Sequence, residues 1–108
     1  MLIAAAAQGK DFDAIIPEKY EESSYLLIVE TDTMEVLKCV ENSDGQGVCF
    51  VAPMADCWCE AIVCGKIPQE TFTHIADAGI SRYKGAGLSV AAGLRGAEDN
   101  SLPLMVKE

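Results

Sequence analysis

Blocks of apolar and polar residues along the first half of the chain predict one buried strand followed by a hairpin. The continuous apolar run Leu2–Ala7 is typical of a strand that is buried on both faces. Residues 25–30 and 34–40 are rich in strand formers and flank the turn Thr31-Asp32-Thr33, so they predict a hairpin. The polar residues 8–24 lie between these elements and predict a long loop.

The second half of the chain predicts alternating helices and strands. In chain order we expect a short helix over residues 48–56 that Pro53 limits, a strand over 60–64, a helix from Pro68 to Gly79, a strand over 80–84 and a helix over 88–94. Breakers follow, so residues 96–108 are expected to form an irregular tail on a core of residues 1–95.

This order of elements predicts a single α/β domain. An antiparallel hairpin would join parallel strands in a five-stranded mixed sheet, with helices on both faces. A length of 108 residues, half of them hydrophobic, suits one domain that can build a core. No cofactor is therefore expected to be needed for folding.

Charge narrows the classes of partner. The chain has 17 Asp and Glu against 8 Lys and Arg, for a net charge of −9. Residues 1–60 carry the whole excess, and residues 61–108 are neutral overall. An acidic half repels phosphates, which argues against nucleic acid and against an anionic membrane surface. We expect instead that any protein partner presents a basic surface.

The apolar runs and the five cysteines indicate a cellular compartment. All apolar runs are far shorter than the ~20 residues of a membrane span, and Met1-Leu2-Ile3-Ala4 lacks the basic leader of a signal peptide. The protein is therefore expected to be cytoplasmic. In that compartment cysteines act as thiols, metal ligands or small hydrophobic side chains rather than as a disulfide framework.

Several short segments, in order, resemble one known family over residues 1 to about 94. These are Ile3-Ala4, Tyr25-Leu26-Leu27-Ile28, Gly45-Gln46-Gly47, Ala61-Ile62-Val63-Cys64-Gly65, and Ala78-Gly79-Ile80 with Tyr83. Their order and spacing resemble the dinitrogenase iron-molybdenum cofactor biosynthesis family. The resemblance implies a ribonuclease H-like three-layer sandwich. It also implies a non-enzymatic carrier or chaperone for an iron-sulfur or iron-molybdenum cluster precursor, with a role like those of nitrogen fixation.

One segment departs from the family pattern. Where the family often has a His-Phe-Gly-Arg-like segment before the second strand, this chain has Lys19-Tyr20-Glu21-Glu22. The loss of the histidine, glycine and arginine favours an alternative function. In that alternative, the chain is a cofactor-free protein-interaction or regulatory module on the same fold.

Topology predicts where a ligand would bind. In open α/β sheets, ligands bind beyond the carboxyl ends of the strands. The loops expected there bring Cys49 and Cys64, which are candidate metal ligands, near the backbone of Gly9, Gly45, Gly47 and Gly65, which could approach a cluster. A helix start at Cys49 would favour a thiolate, so this thiol could equally be a ligand or structural, whereas the position of Cys64 at the end of an apolar strand favours the core over a ligand role.

Two further patterns point to other chemistry. Cys57-Trp58-Cys59 precedes the fourth predicted strand and should lie opposite the ligand crevice, where its thiols could be metal ligands or structural. Asp11 and Asp13 follow the first strand, but that strand carries no carboxylate of the kind two-metal nucleases need. We therefore expect no enzymatic activity.

Overall fold

The computed structural model describes residues 1–105, which form five strands and three helices. The strands are β1 (Leu2–Ala7), β2 (Tyr25–Glu30), β3 (Glu35–Glu41), β4 (Ala61–Cys64) and β5 (Ser81–Lys84), and the helices are α1 (Val51–Asp56), α2 (Gln69–Asp77) and α3 (Val90–Glu98). Two 3-10 turns cover Tyr20–Glu22 and Val48–Phe50. This confirms the predicted order of elements.

The strands form one mixed sheet in the order β3-β2-β1-β4-β5. β1, β4 and β5 are parallel, and β2 is antiparallel to both β1 and β3. The carboxyl ends of β1, β3, β4 and β5 therefore lie along one edge, here called the carboxyl edge. The opposite edge, where β1, β4 and β5 begin, is called the amino edge.

β1 lies at the centre of the sheet, and its small side chains contact both helical layers. Ala4 and Ala6 face a core that α1 and α2 cover, while Ala5 and Ala7 face the core beneath α3. Larger residues of β4 lie beside the alanines, with Ile62 next to Ala4 and Val63 next to Ala5. Alanine is a poor strand former, so tertiary burial rather than intrinsic propensity stabilises this strand.

Glycine in α3 allows the helix to lie close to the sheet. A Cβ at Gly93 would lie 2.8 Å from Ile16 Cδ1 and 3.0 Å from Val63 Cγ1. Gly93 is buried inside the helix, where glycine is intrinsically unfavourable. The close approach of the helix backbone therefore decides the residue at this position.

The last helix extends beyond the predicted end at residue 94. α3 continues to Glu98, because Ala97 is buried against the sheet and Gly96 packs against Leu102. The chain then turns and lies beside β5, with a bridge between Leu104 and Tyr83. The predicted irregular tail therefore starts later than residue 96, and its residues 106–108 lie outside the described part of the chain.

Two other element boundaries differ from the prediction. Met34 has φ 56° and belongs to the hairpin turn, so β3 begins at Glu35. Ile28 and Val29 of β2 pair with Lys38 and Val36, so a β-bulge at Leu37 of β3 shifts the register of the hairpin. Residues 48–56 form a 3-10 turn that continues into α1, and Pro53 lies in the first turn of α1, where its missing N–H has no helical partner to lose.

Helices long and apolar enough to cross a membrane do not occur within residues 1–105.

Replacing Gly93 with alanine is expected to lower the free energy of unfolding by about 1–3 kcal/mol, because the new methyl group would push α3 away from Ile16 and Val63. Urea denaturation measures the change. Ala92→Ser, at an exposed position of the same helix, is the control and should cost only about 0.5 kcal/mol. Equal effects of the two substitutions would contradict the close approach.

Candidate functional site

The carboxyl edge is partly covered by the chain itself. Residues 8–19, predicted as a long loop, cross this edge and are held by backbone hydrogen bonds. Ile16 N–H donates to the Leu88 carbonyl (2.9 Å), and Gly87 N–H donates to the Ile16 carbonyl (2.9 Å). The Ile16 side chain is fully buried in the core between the sheet and α3. The crevice beyond β4 and β5 is therefore narrower than strand topology alone indicates.

Two of the candidate ligand-binding glycines face this crossing segment. A Cβ at Gly65 would overlap the carbonyl oxygens of Pro17 and Glu18. A Cβ at Gly9 would lie 3.1 Å from Ala14 Cβ. Both glycines thus allow close approach of the chain to itself, which is a different role from the predicted contact with a ligand.

Side chains accept the backbone donors of the loop between β3 and α1. Asp44 accepts from Gln46 N–H (2.7 Å) and from Cys49 N–H (2.8 Å), and Asn42 Oδ1 accepts from Gly47 N–H (2.9 Å). The hydrogen bond from the Gln46 backbone N–H is the main cause of the lowered pKa of Asp44. These donors are therefore engaged within the loop, and a carboxylate occupies the place predicted for an anionic ligand.

Tyr20 explains the glycine at position 47. Gly47 has φ 75°, and a Cβ there would overlap the Tyr20 ring. The Tyr20 hydroxyl donates to the Gly47 carbonyl (2.6 Å), and its ring packs edge-on against Phe50. Burial raises the pKa of Tyr20. Gly45, at φ 71°, has open space around it, so among the four candidate glycines it is the one a ligand could approach without meeting the chain.

The two predicted metal ligands, Cys49 and Cys64, differ in solvent accessibility. Cys49 is half-buried at the carboxyl edge, where its thiol donates to the Glu41 carbonyl (3.5 Å). Cys64 is fully buried at the end of β4, and burial raises the pKa of its thiol. Of the two, Cys49 is the thiol that a ligand can reach.

The donor set limits what kind of metal species could bind. Across residues 1–105, no three His, Cys, Asp or Glu side chains come together around one point. A bare metal ion usually needs three or four protein ligands. The described residues therefore offer no such ligand group for a bare metal ion.

A cavity of about 300 Å³ opens at the carboxyl edge beside the start of α2. Lys19 and Lys66 lie next to each other there as a parallel bridge, and the Tyr20 N–H donates to the Lys66 carbonyl (2.9 Å). Both lysines are exposed. The cavity is lined by Lys19, Glu21, Lys66, Ile67, Pro68 and Gln69. Sequence reasoning missed this pair, because only the folded register brings residues 19 and 66 together.

Cys57-Trp58-Cys59 lies at the amino edge, opposite the cavity. The Glu60 N–H that follows it donates to the Leu2 carbonyl (2.9 Å), next to the start of β1. Cys59 is 5% exposed. Burial is the main cause that raises the pKa of its thiol to about 11, and repulsion from the neighbouring Cys57 adds to it. Trp58 has φ 58° and is 87% exposed. A thiol with a raised pKa is a poor metal ligand, which favours a structural role for Cys59.

Solved structures share the fold. The apo orange protein of Desulfovibrio gigas has 19% identity and a TM-score of 0.85, with 98% of this chain and 93% of that chain covered. A NifB-like protein of Thermotoga has 20% identity and a TM-score of 0.81, with 99% and 95% covered. A dinitrogenase-like protein of Methanocaldococcus jannaschii has 22% identity and a TM-score of 0.68, with 97% and 96% covered. No curated protein matches the chain.

A mixed five-stranded sheet between helical layers, with a cavity and a thiol at the strand ends, defines a small open-sheet α/β domain. The chain belongs to the dinitrogenase iron-molybdenum cofactor family, whose model matches residues 1–99. This confirms the family resemblance found from the sequence.

Replacing Tyr20 with phenylalanine is expected to lower the free energy of unfolding by about 1 kcal/mol, because the buried Gly47 carbonyl loses one of its two donors and keeps only the Phe50 N–H. Tyr25→Phe, a half-buried tyrosine near the same edge, should change stability by less than about 0.5 kcal/mol. Thermal denaturation compares the two. A harmless Tyr20→Phe would show that this hydrogen bond does not hold the loop.

Stability is expected to fall as the pH rises above about 9, in part because of Cys59. Its folded pKa lies above its unfolded value of 9.0, at about 11, so its contribution is complete below pH 9 and is lost as the pH approaches 11. Cys59→Ala should therefore make this fall shallower, whereas the exposed Cys39→Ala should not. Urea denaturation at a series of pH values measures both slopes, and identical slopes for the wild type and Cys59→Ala would refute the assignment.

Proposed function

We propose that this protein binds and carries a metal-cluster precursor of the iron-sulfur or iron-molybdenum type at its carboxyl edge. The supporting observation is the pair of exposed lysines, Lys19 and Lys66, side by side at a cavity on that edge, in a chain of net charge −9. Family membership supports the class of cargo.

The charge of the cargo suits these residues. Sulfide-bridged clusters held by thiolates are anions, and two neighbouring ammonium groups favour an anion over the cations that the rest of the chain attracts. Because both lysines are exposed, salt should weaken the attraction. A carrier that releases its cargo benefits from an attraction of this moderate strength.

A thiol could supply the covalent part of the interaction. Cys49 is the accessible cysteine at the carboxyl edge, and Tyr20 lies between its loop and the Lys66 segment. One cysteine ligand can hold a cluster whose other metal positions are already filled by sulfide. Cys64 is fully buried, so it would take part only if the residues that cover its thiol moved aside.

We propose a carrier and not an enzyme. β1 and β4, the central strands, are fully apolar and carry no carboxylate. Hydrolytic two-metal sites on a ribonuclease H-like fold, which remains our proposal for this sheet, would need acidic side chains there. The net negative charge also disfavours a nucleic-acid substrate.

The second candidate is a cofactor-free interaction or regulatory module. Two observations favour it over the carrier. Asp44 and Asn42 accept the amide hydrogens of the loop next to Cys49, and residues 8–19 cover part of the carboxyl edge. Lys19-Tyr20-Glu21-Glu22 in place of the family's His-Phe-Gly-Arg-like segment points the same way.

Anaerobic reconstitution with ferrous iron and sulfide, with and without molybdate, distinguishes the two candidates. The carrier should retain metal and sulfide through a desalting column and show visible absorption. The double variant Lys19→Gln/Lys66→Gln is expected to bind the cluster at least about tenfold more weakly, because the anion loses both ammonium groups. Lys38→Gln/Arg95→Gln removes the same charge from exposed positions away from the cavity, with Arg95 in the last turn of α3 at the amino edge, and should bind within about twofold of the wild type.

Cysteine variants complete this experiment. Cys49→Ser should lose cluster retention, and Cys57→Ser, at the amino edge, should keep it. Wild-type protein that retains no iron or molybdenum would favour the interaction module. Loss of retention in Cys57→Ser with full retention in Cys49→Ser would move the site to the amino edge.

A further inference from the structure

Trp58 is the most exposed large apolar side chain of the described residues. It is the single tryptophan of the chain, and 87% of its surface is exposed. Tryptophan is ordinarily well buried in folded proteins, and it is enriched among the residues that dominate protein interfaces. Its φ of 58° is also disfavoured for a bulky residue. Neither burial nor backbone preference therefore explains this side chain.

Backbone hydrogen bonds and two packed thiols hold the turn around Trp58. Trp58 N–H donates to the Ala55 carbonyl (3.1 Å), and Cys59 N–H donates to the Met54 carbonyl (3.1 Å). The neighbouring thiols, Cys57 and Cys59, pack against the core beneath α1 and α2. Two small side chains thus anchor the turn while the indole between them stays outside. Because the backbone of the turn is already ordered, a partner that binds the indole has to restrict only the side chain.

Carboxylates flank Trp58 in the chain and lie along the amino edge. Asp56 and Glu60, both exposed, lie two residues to either side of Trp58. Glu60 and Glu98 line a neighbouring cavity of about 220 Å³ at the amino edge. Glu30 lies 2.6 Å from the ammonium group of Met1.

The helices add to the negative potential at the amino edge. α1, α2 and α3 all end there, and the carboxyl end of a helix carries partial negative charge. The ammonium of Met1 and the side chain of Arg95, in the last turn of α3, offset part of this potential. The edge therefore combines one fixed apolar anchor with a largely acidic surround.

We propose that the amino edge is a docking surface for a protein partner with an arginine- or lysine-rich segment, and that Trp58 is its anchor. An arginine can stack on the indole while its neighbours meet Asp56 and Glu60. A second copy of this chain would bring like charge to the same place, and a nucleic acid or an anionic membrane would be repelled. This surface is separate from the cargo cavity, so its test does not depend on cluster binding.

A fluorescein-labelled decapeptide of alternating arginine and glycine is the probe, and anisotropy of the dye gives its dissociation constant. Trp58→Asn is expected to weaken binding by at least about tenfold, since asparagine tolerates a positive φ but offers no aromatic face. Asp56→Asn/Glu60→Gln should weaken it by a similar factor. Asp13→Asn/Glu22→Gln removes the same charge near the carboxyl edge and should change it less than about twofold. In the wild-type protein the emission of Trp58 should change as the peptide binds.

Equal thermal stability of Trp58→Asn and the wild type separates loss of docking from loss of folding. Binding that falls equally with both pairs of acidic substitutions would mean diffuse charge and would overturn the proposal. The absence of any peptide binding, or a concentration-dependent dimer that Trp58→Asn abolishes, would overturn it as well. The cluster reconstitution described above should give the same result for Trp58→Asn and the wild type.

Discussion

Burial of β1 on both faces is the constraint on which the rest of the fold depends. Its alanines bring α3 on one side and α1 with α2 on the other close to a single layer of backbone. A strand without polar side chains must lie inside the sheet, flanked by β2 and β4. That placement turns the strand ends into two edges of different chemistry, one with paired lysines and a thiol, the other with a tryptophan among acids.

The element order was predictable because each strand and helix has a local signal, such as the apolar run Leu2–Ala7 or Pro68 before α2. The path of residues 8–19 was not. It depends on Ile16 entering the space that Gly85 and Gly93 leave, and such contacts carry no local pattern. The predicted end of α3 was wrong for the same reason, because burial of Ala97 outweighs the low helix propensity of Gly96.

The candidate site was predictable in position and less so in detail. Strand topology indicated the edge where Cys49 lies, because parallel strands end together. It could not indicate that Asp44 accepts hydrogen bonds from the backbone amides of the same loop. Nor could it indicate that Gly47 leaves space for the Tyr20 ring and Gly65 for the segment of residues 8–19. Glycine in a loop signals a close approach, but the approaching group can belong to the chain itself.

The two outer strands of the sheet differ in how their free backbone is treated. The bridge from Leu104 covers β5, whereas no strand or bridge within residues 1–105 pairs with the outer side of β3. An open strand with Val36 and Leu37 exposed could template aggregation by pairing with another chain. The bulge in the β2–β3 pairing opposes this, because it interrupts the flat ladder that an added strand would need. The charge of Lys38 also opposes it, because a strand added beside β3 would bring its neighbours close to that charge. A β3 without the bulge would therefore be more regular but would make the protein less soluble.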